Sequence, residues 1–284
     1  MSAARLSRSL GPAEITIHCL DLDAPPAPGE AEGADPSDWL SAFERERLAV
    51  LPPGPRRDDF LRLRLWLRRV IAGALDRRPE RLRLGRTAHG KPCLLSAEPG
   101  AAIRFNLAHA GRLALLALCP SHEVGVDLER DRPLLRVDGL ARRVLSPVER
   151  EALLGLPEPD RPRAFLRLWV RKEACLKATG RGLGFGPARF SVPTTPWLEG
   201  VRVDLPPATS GEGARAATGA EARAVGPVAE VPSAAAGAEA RAAAGWSPES
   251  GGSGFRCWLA DLEMAPPYEA AVAVADGPPR ANDA

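Results

Sequence analysis

The chain has 284 residues, 45% hydrophobic and 26% charged, which is enough for one large domain or two modest ones of ordinary globular composition. Its formal charge of +2 is too small to argue for nucleic acid, although arginines crowd the first half. Five cysteines without a CxxC pair, and four histidines without an HExxH, argue against a disulfide framework or a structural zinc site.

The N-terminus, MSAARLSRSLGPAE, shows no apolar h-region, and the longest strongly apolar run, Leu113–Cys119, is far too short to span a bilayer. The expectation is a cytoplasmic chain with reduced thiols and no membrane contact. Ile15, Ile17 and Cys19 alternate and predict a first strand, followed by Pro- and Gly-rich loop over residues 24–36. Between 56 and 75, Phe60, Leu63, Leu67, Val70 and Ile71 recur at helical spacing. Arg62, Arg64, Arg68 and Arg69 fill the gaps, giving an amphipathic helix with a basic outer face.

Two strands, 102–108 and 113–119, are expected around a tight turn at Gly111-Arg112. In HEVGVDLER, Val124, Val126 and Leu128 alternate with Gly125, Asp127 and Glu129, so a strand would point both carboxylates to one side. Ser146-Pro147-Val148-Glu149 reads as a helix start. A long helix is predicted from about 162 to 178, ending at Gly180, and late strands at 190–192, 201–205, 255–262 and 270–274. Residues 207–253 are rich in Ala, Gly, Glu and Ser, too poor in large apolar side chains to offset their ordering entropy, and read as a disordered insertion between two strands.

Asp127 and Glu129 on one strand face suit either a cation or plain solvation. In WVRKEACLKATGRG, Glu173 and Lys177 lie four apart on one helix face, with Trp169 a turn earlier. Three carboxylates and a lysine on adjacent elements would suit a hard cation holding phosphate, since magnesium takes oxygen ligands and shares them with substrate phosphates. His109 at a strand end, Lys91 in a Gly-Pro turn, and Arg56 and Arg57 ahead of the basic helix are candidate phosphate contacts. Gly180, Gly182, Gly184 and Gly186 follow a helix rather than join strand to helix, so they read as a helix cap and loop and not as a phosphate loop.

Four segments together resemble the 4′-phosphopantetheinyl transferase superfamily, in its larger, Sfp-like branch. They are GKP at 90–92, FNLAHA at 105–110, GVDLE at 125–129 and WVRKEACLKATGRGL at 169–183. The resemblance covers roughly residues 40–205 and the final strands. It implies an α+β fold of two similar α/β subdomains, related by a pseudo-twofold axis with the active-site cleft between them. The N-terminal subdomain, 1–122, would take the nucleotide end of coenzyme A, and the C-terminal one, 123–284, the metal and catalytic residues.

By the same resemblance Asp127, Glu129 and Glu173 would bind Mg²⁺, with Mn²⁺ an acceptable substitute. Glu173 would also be the general base, and Lys177 would support the pyrophosphate and leaving group. His109 would contact the 3′-phosphate of coenzyme A, with Lys91 and Arg57 near the same end. The implied reaction moves phosphopantetheine to a serine of an apo acyl or peptidyl carrier protein and releases 3′,5′-ADP, with a monomer and no nucleic acid. One departure is visible: family members commonly flank this histidine with serines, where Ala108 and Ala110 stand here. The competing readings are a metal-dependent phosphohydrolase, a nucleic-acid module built on the Arg-rich helix, and a non-catalytic carrier-binding scaffold.

Overall fold

Alternating and helical apolar patterns do organise this chain, and they produce a mixed α/β fold in which helices cover two antiparallel sheets. The structure is a computed structural model that describes residues 4–25, 39–87, 90–95, 103–131, 137–180, 182–206 and 255–276. The stretch expected to be a disordered insertion, 207–253, lies outside the described residues.

The first sheet contains β1 (Ala4–Leu10), β2 (Ala13–Asp21), β5 (Arg104–Ala110) and β6 (Leu113–Cys119) in the order β1-β2-β6-β5. The second contains β7 (Val124–Arg130), β8 (Val201–Leu205), β9 (Phe255–Leu262) and β10 (Tyr268–Ala275) in the order β7-β10-β9-β8. A two-stranded ribbon, β3 (Leu84–Arg86) with β4 (Pro92–Leu94), stands apart. Both large sheets use one connectivity. A strand leads into a long helix and then a hairpin whose second strand returns to pair with the first. In the first sheet this is β2, helix α2 (Pro55–Ala74), β5 and β6; in the second it is β7, helix α5 (Arg161–Ala178), β9 and β10.

Period two in the strands divides the interior into layers. Ile15, Ile17, Leu115 and Ala117 from the first sheet meet Val124, Val126, Leu128 and Val272 from the second in one shared core. The other face of the first sheet receives Leu63, Trp66, Leu67 and Ile71 from α2, and the other face of the second receives Phe165, Leu166, Val170 and Ala174 from α5. Each large aliphatic or aromatic side chain so buried contributes about 2 kcal/mol. Gly111, at φ +57°, makes the β5–β6 turn expected from Gly111-Arg112.

Five elements were not foreseen: strands β1, β3 and β4, and helices α1 (Ala42–Val50) and α3 (Val137–Val144). β1 pairs with β2 along its whole length, but it is an edge strand whose Leu6 is exposed, so it lacks the alternation of a half-buried strand. Helix α1 (Ala42–Val50) begins at a capping box of Ser41 and Glu44, and the buried Glu44 carboxylate takes a 2.6 Å ion pair from Arg68 of α2. The Ser-x-x-Glu spacing at 41–44 was the available signal. Conversely, the strand predicted at 190–192 is not one. Phe190 follows a single 3₁₀ turn, and Val192 donates its amide to the Glu149 Oε1 side-chain oxygen rather than to a neighbouring strand. The remaining helices, α3 (Val137–Val144) and α4 (Pro147–Leu154), precede α5, and α4 starts at the Ser146–Glu149 capping box read from the sequence.

Candidate functional site

The site begins with a side chain that is missing. A Cβ on Gly125 would lie 2.2 Å from the carbonyl oxygen of Ala174 and 2.4 Å from the amide nitrogen of Ala178. No atom fits there, so the backbone of α5 rests directly on β7. Residues two and four positions along β7 then face the helix beside its outward-projecting groups. Asp127 and Glu129 do share one face of the strand, and each is only 6% exposed, which removes the reading as a wet strand face.

Lys177 donates to Asp127 Oδ1 at 2.6 Å and to the carbonyl of Val126 at 3.2 Å. A simple surface ion pair between Glu173 and Lys177 is therefore not what forms; the lysine crosses to the strand. Asp127 Oδ2 and Glu173 Oε1 are left buried without a hydrogen-bond partner. Burial pushes the Asp127 carboxyl up against the opposing pull of Lys177. Glu173 is pushed up to about 7, again chiefly by burial, with Lys177 lowering it and Asp127 raising it further. Lys177 is held above the ordinary lysine value because Asp127 and Glu173 outweigh its own desolvation.

Three consecutive residues set the rotation of α5, leaving the helix axis about 100° apart. Arg171 makes two 2.7 Å bonds to the carboxylate of Asp261 on β9. Lys172, fully buried, pairs with Glu149 at 2.8 Å and donates to the carbonyls of Pro187 and Phe190. With those two directions pinned, Glu173 faces β7. Arg171, Lys172 and Asn106 were not singled out from the sequence. The Asn106 side-chain oxygen accepts the amide of Val126 at 2.9 Å. α5 also carries Arg161, Arg163, Arg167 and Lys177, so nothing local marked Arg171 and Lys172 as the buried cations. Trp169 is half-buried and packs against the core between α5 and the second sheet.

The candidate phosphate contacts separate into two kinds. His109 on β5 is half-buried, and its Nε2 is enclosed without a partner; burial lowers its pKa, opposed by the nearby Asp59. Lys91 is instead engaged with Glu123 Oε2 at 2.5 Å and with the carbonyl of Val124 at 3.0 Å. Arg57, in the first turn of α2, donates to the carbonyls of Leu48 and Leu51, the end of α1. Gly180, Gly182 and Gly186 all have positive φ after α5, as a helix cap and loop require.

Among the described residues no group of three or more His, Cys, Asp or Glu side chains has the arrangement of a self-sufficient metal site. The orphaned oxygens of Asp127 and Glu173 nevertheless fit a magnesium ion that completes its shell from water and substrate phosphate. No helix is long and apolar enough to cross a membrane among the described residues.

Comparison with known proteins bears on this arrangement. Residues 123–213 match the 4′-phosphopantetheinyl transferase superfamily profile, and residues 57–121 match a profile for the N-terminal part of a 4′-phosphopantetheinyl transferase. The chain is 34% identical over 170 residues to the 4′-phosphopantetheinyl transferase HetI of Nostoc sp., covering 60% of this chain and 70% of that protein. It is 33% identical over 179 residues to a phosphopantetheinyl transferase of Thraustochytrium sp., covering 58% of this chain and 61% of the relative. It is also 31% identical over 174 residues to the human L-aminoadipate-semialdehyde dehydrogenase-phosphopantetheinyl transferase, covering 56% of each.

Two outcomes follow from the geometry. Gly125→Ala forces a methyl group into the α5 backbone and separates Lys177 from Asp127, so it should lower the melting temperature and transferase turnover together; a normal value for both would refute the contact. Because the folded pKa of Glu173 is raised, the native state holds this proton more tightly than the unfolded chain does. Stability is therefore lost as pH rises from the ordinary glutamate value through about 7. In EDTA the wild-type melting temperature should fall between pH 5.5 and 8, and Glu173→Gln should flatten that fall; parallel curves would contradict the assignment.

The motifs, the geometry and these similarities agree: the chain belongs to the 4′-phosphopantetheinyl transferase superfamily and is a transferase of that type.

Proposed function

We propose that Asp127, Glu129, Glu173 and Lys177 carry out the transfer of the 4′-phosphopantetheine arm of coenzyme A to a serine of an apo acyl or peptidyl carrier protein. The observation that supports this most directly is the pair of buried, unpartnered carboxylate oxygens, Asp127 Oδ2 and Glu173 Oε1, beside a lysine ammonium. Groups of this kind are costly to bury unless a ligand uses them.

The carrier serine attacks the β-phosphorus of coenzyme A, its O–P bond forms as the pyrophosphate P–O bond breaks, and 3′,5′-ADP leaves. Glu173, raised to about 7 by burial in the metal-free protein, would be ionised once a cation is bound beside it and could then accept the serine proton. Lys177 stays charged and stands where it can stabilise negative charge on the leaving phosphate. Asp127, Glu129 and Glu173 would hold the magnesium, or manganese, ion. When bound, that ion neutralises pyrophosphate oxygens during the transfer. Such chemistry depends mainly on positioning and electrostatics.

His109, neutral in the ligand-free protein because burial lowers its pKa, would gain a proton and a charge-assisted bond on meeting the 3′-phosphate. Lys91 and Arg57 belong to the same nucleotide end, where each would exchange a present partner within the chain for the ligand. The repeated strand–helix–hairpin connectivity supports two subdomains, 1–122 and 123–284, related by a pseudo-twofold axis with the cleft between them. Such an internal pair favours a monomer, and the free thiols of all five cysteines suit the cytoplasm.

The tests are direct. Asp127→Asn and Glu173→Gln should each lower kcat by about 10²-fold or more, the usual scale for a general base or a preorganised charge; near-normal rates would remove them from the chemistry. His109→Ala should raise KM for coenzyme A about tenfold, the loss of one charge-assisted bond, with kcat little changed. An unchanged KM would remove it from the nucleotide end.

A further inference from the structure

β7 has one edge paired with β10, through Val126 opposite Val272. Its other edge runs beside β5 without a backbone ladder between them: β5 and β7 belong to different sheets. A buried strand edge must find partners for its amides and carbonyls. Here side chains supply them. Lys91 takes the Val124 carbonyl, Lys177 takes the Val126 carbonyl, and Asn106 takes the Val126 amide.

Asn106 alone among these three lies on β5, three residues before His109, and is 5% exposed. The residue it grips immediately precedes Asp127. The turn that follows β5 also lies against the end of β7, where a Cβ on Gly111 would stand 3.1 Å from the side-chain Cδ of Arg130. One amide thus joins the strand bearing the nucleotide-end histidine to the strand bearing the carboxylates.

We infer that Asn106 is a positioning residue for the transfer reaction, holding His109 on β5 in register with Asp127 and Glu129 on β7, so that a single coenzyme A molecule can reach both. This rests on the proposed reading of those residues. A ligand that spans two strands binds tightly only while their spacing is fixed, because loosening it returns orientational freedom that binding must then remove. A side-chain amide is well matched to this position. Its side-chain oxygen accepts the Val126 N–H that no neighbouring strand takes. It contacts no reacting atom.

Five proteins are compared in the carrier-loading assay with coenzyme A and Mg²⁺: wild type, Asn106→Leu, Asn106→Asp, His109→Ala, and Asn106→Leu combined with His109→Ala. Leucine keeps the volume but has no acceptor, and aspartate keeps an acceptor oxygen in the same shape. The expected result is a rise of about tenfold in KM for coenzyme A in Asn106→Leu, with kcat changed less than threefold, and recovery to within threefold of the wild-type KM in Asn106→Asp.

Adding His109→Ala to Asn106→Leu should raise KM much less than His109→Ala does alone, because the histidine is already out of register. Full multiplication of the two effects overturns the inference. So does an Asn106→Leu protein whose only loss is a kcat that tracks its folded fraction in thermal melts. If Asn106→Leu does not fold, the comparison of wild type with Asn106→Asp, each with and without His109→Ala, decides. An aspartate protein whose KM rises tenfold despite its retained acceptor overturns the inference, while unchanged coupling supports it. A wild-type protein that loads no carrier refutes the underlying reading, which separates that failure from this one.

Discussion

The space that a side chain at Gly125 would fill is occupied by the backbone of α5, and the candidate chemistry depends on that contact. With helix and strand in van der Waals touch, the lysine on one and the aspartate on the other meet at 2.6 Å, while Glu173 is carried into the same enclosed region. A larger residue would push the helix outward, and the charges would then be solvated and ordinary. The adjoining pairs are fixed in support of this. Arg171 on Asp261 and Lys172 on Glu149 leave the helix one orientation about its own axis.

Keeping this much charge inside a protein is costly. Breaking a buried pair by removing one member typically costs about 3–5 kcal/mol, because the remaining charge is stranded. The Lys172–Glu149 pair escapes the worst of that through full satisfaction: Glu149 also accepts the amides of Ser146 and Val192, and Lys172 has two carbonyls besides its carboxylate. The site around Asp127 is different. One lysine faces several acids, and two carboxylate oxygens lack any partner. Full satisfaction at one pair and open valence at the next, on adjacent residues of one helix, separates a structural cluster from a ligand-seeking one. Burial raises Glu173 to about 7 there, and Asp127 raises it further against the pull of Lys177.

Much of this was legible in the sequence because it is periodic. Period two in VGVDLER put Asp127 and Glu129 on one face, helical spacing in α2 and α5 gave both long helices to within a residue or so, and Ser146 to Glu149 announced α4. What escaped was not settled by local period. β1 is an edge strand, and Phe190 and Val192 alternate like a strand although the Val192 amide goes to the side chain of Glu149, which is distant in sequence. The partners of Lys91 and Arg57 are carbonyls and a carboxylate delivered by the tertiary fold, so a solvated cation was the natural expectation. Asn106 inside FNLAHA looks like any polar residue in a strand until the edge of β7 arrives beside it.

The most direct measurement is the intact mass of an apo carrier protein after incubation with this protein, coenzyme A and Mg²⁺. The account predicts a mass increase of one phosphopantetheine, lost in EDTA and lost with Glu173→Gln. No mass increase across acyl and peptidyl carriers, from a folded protein that binds coenzyme A, would contradict it.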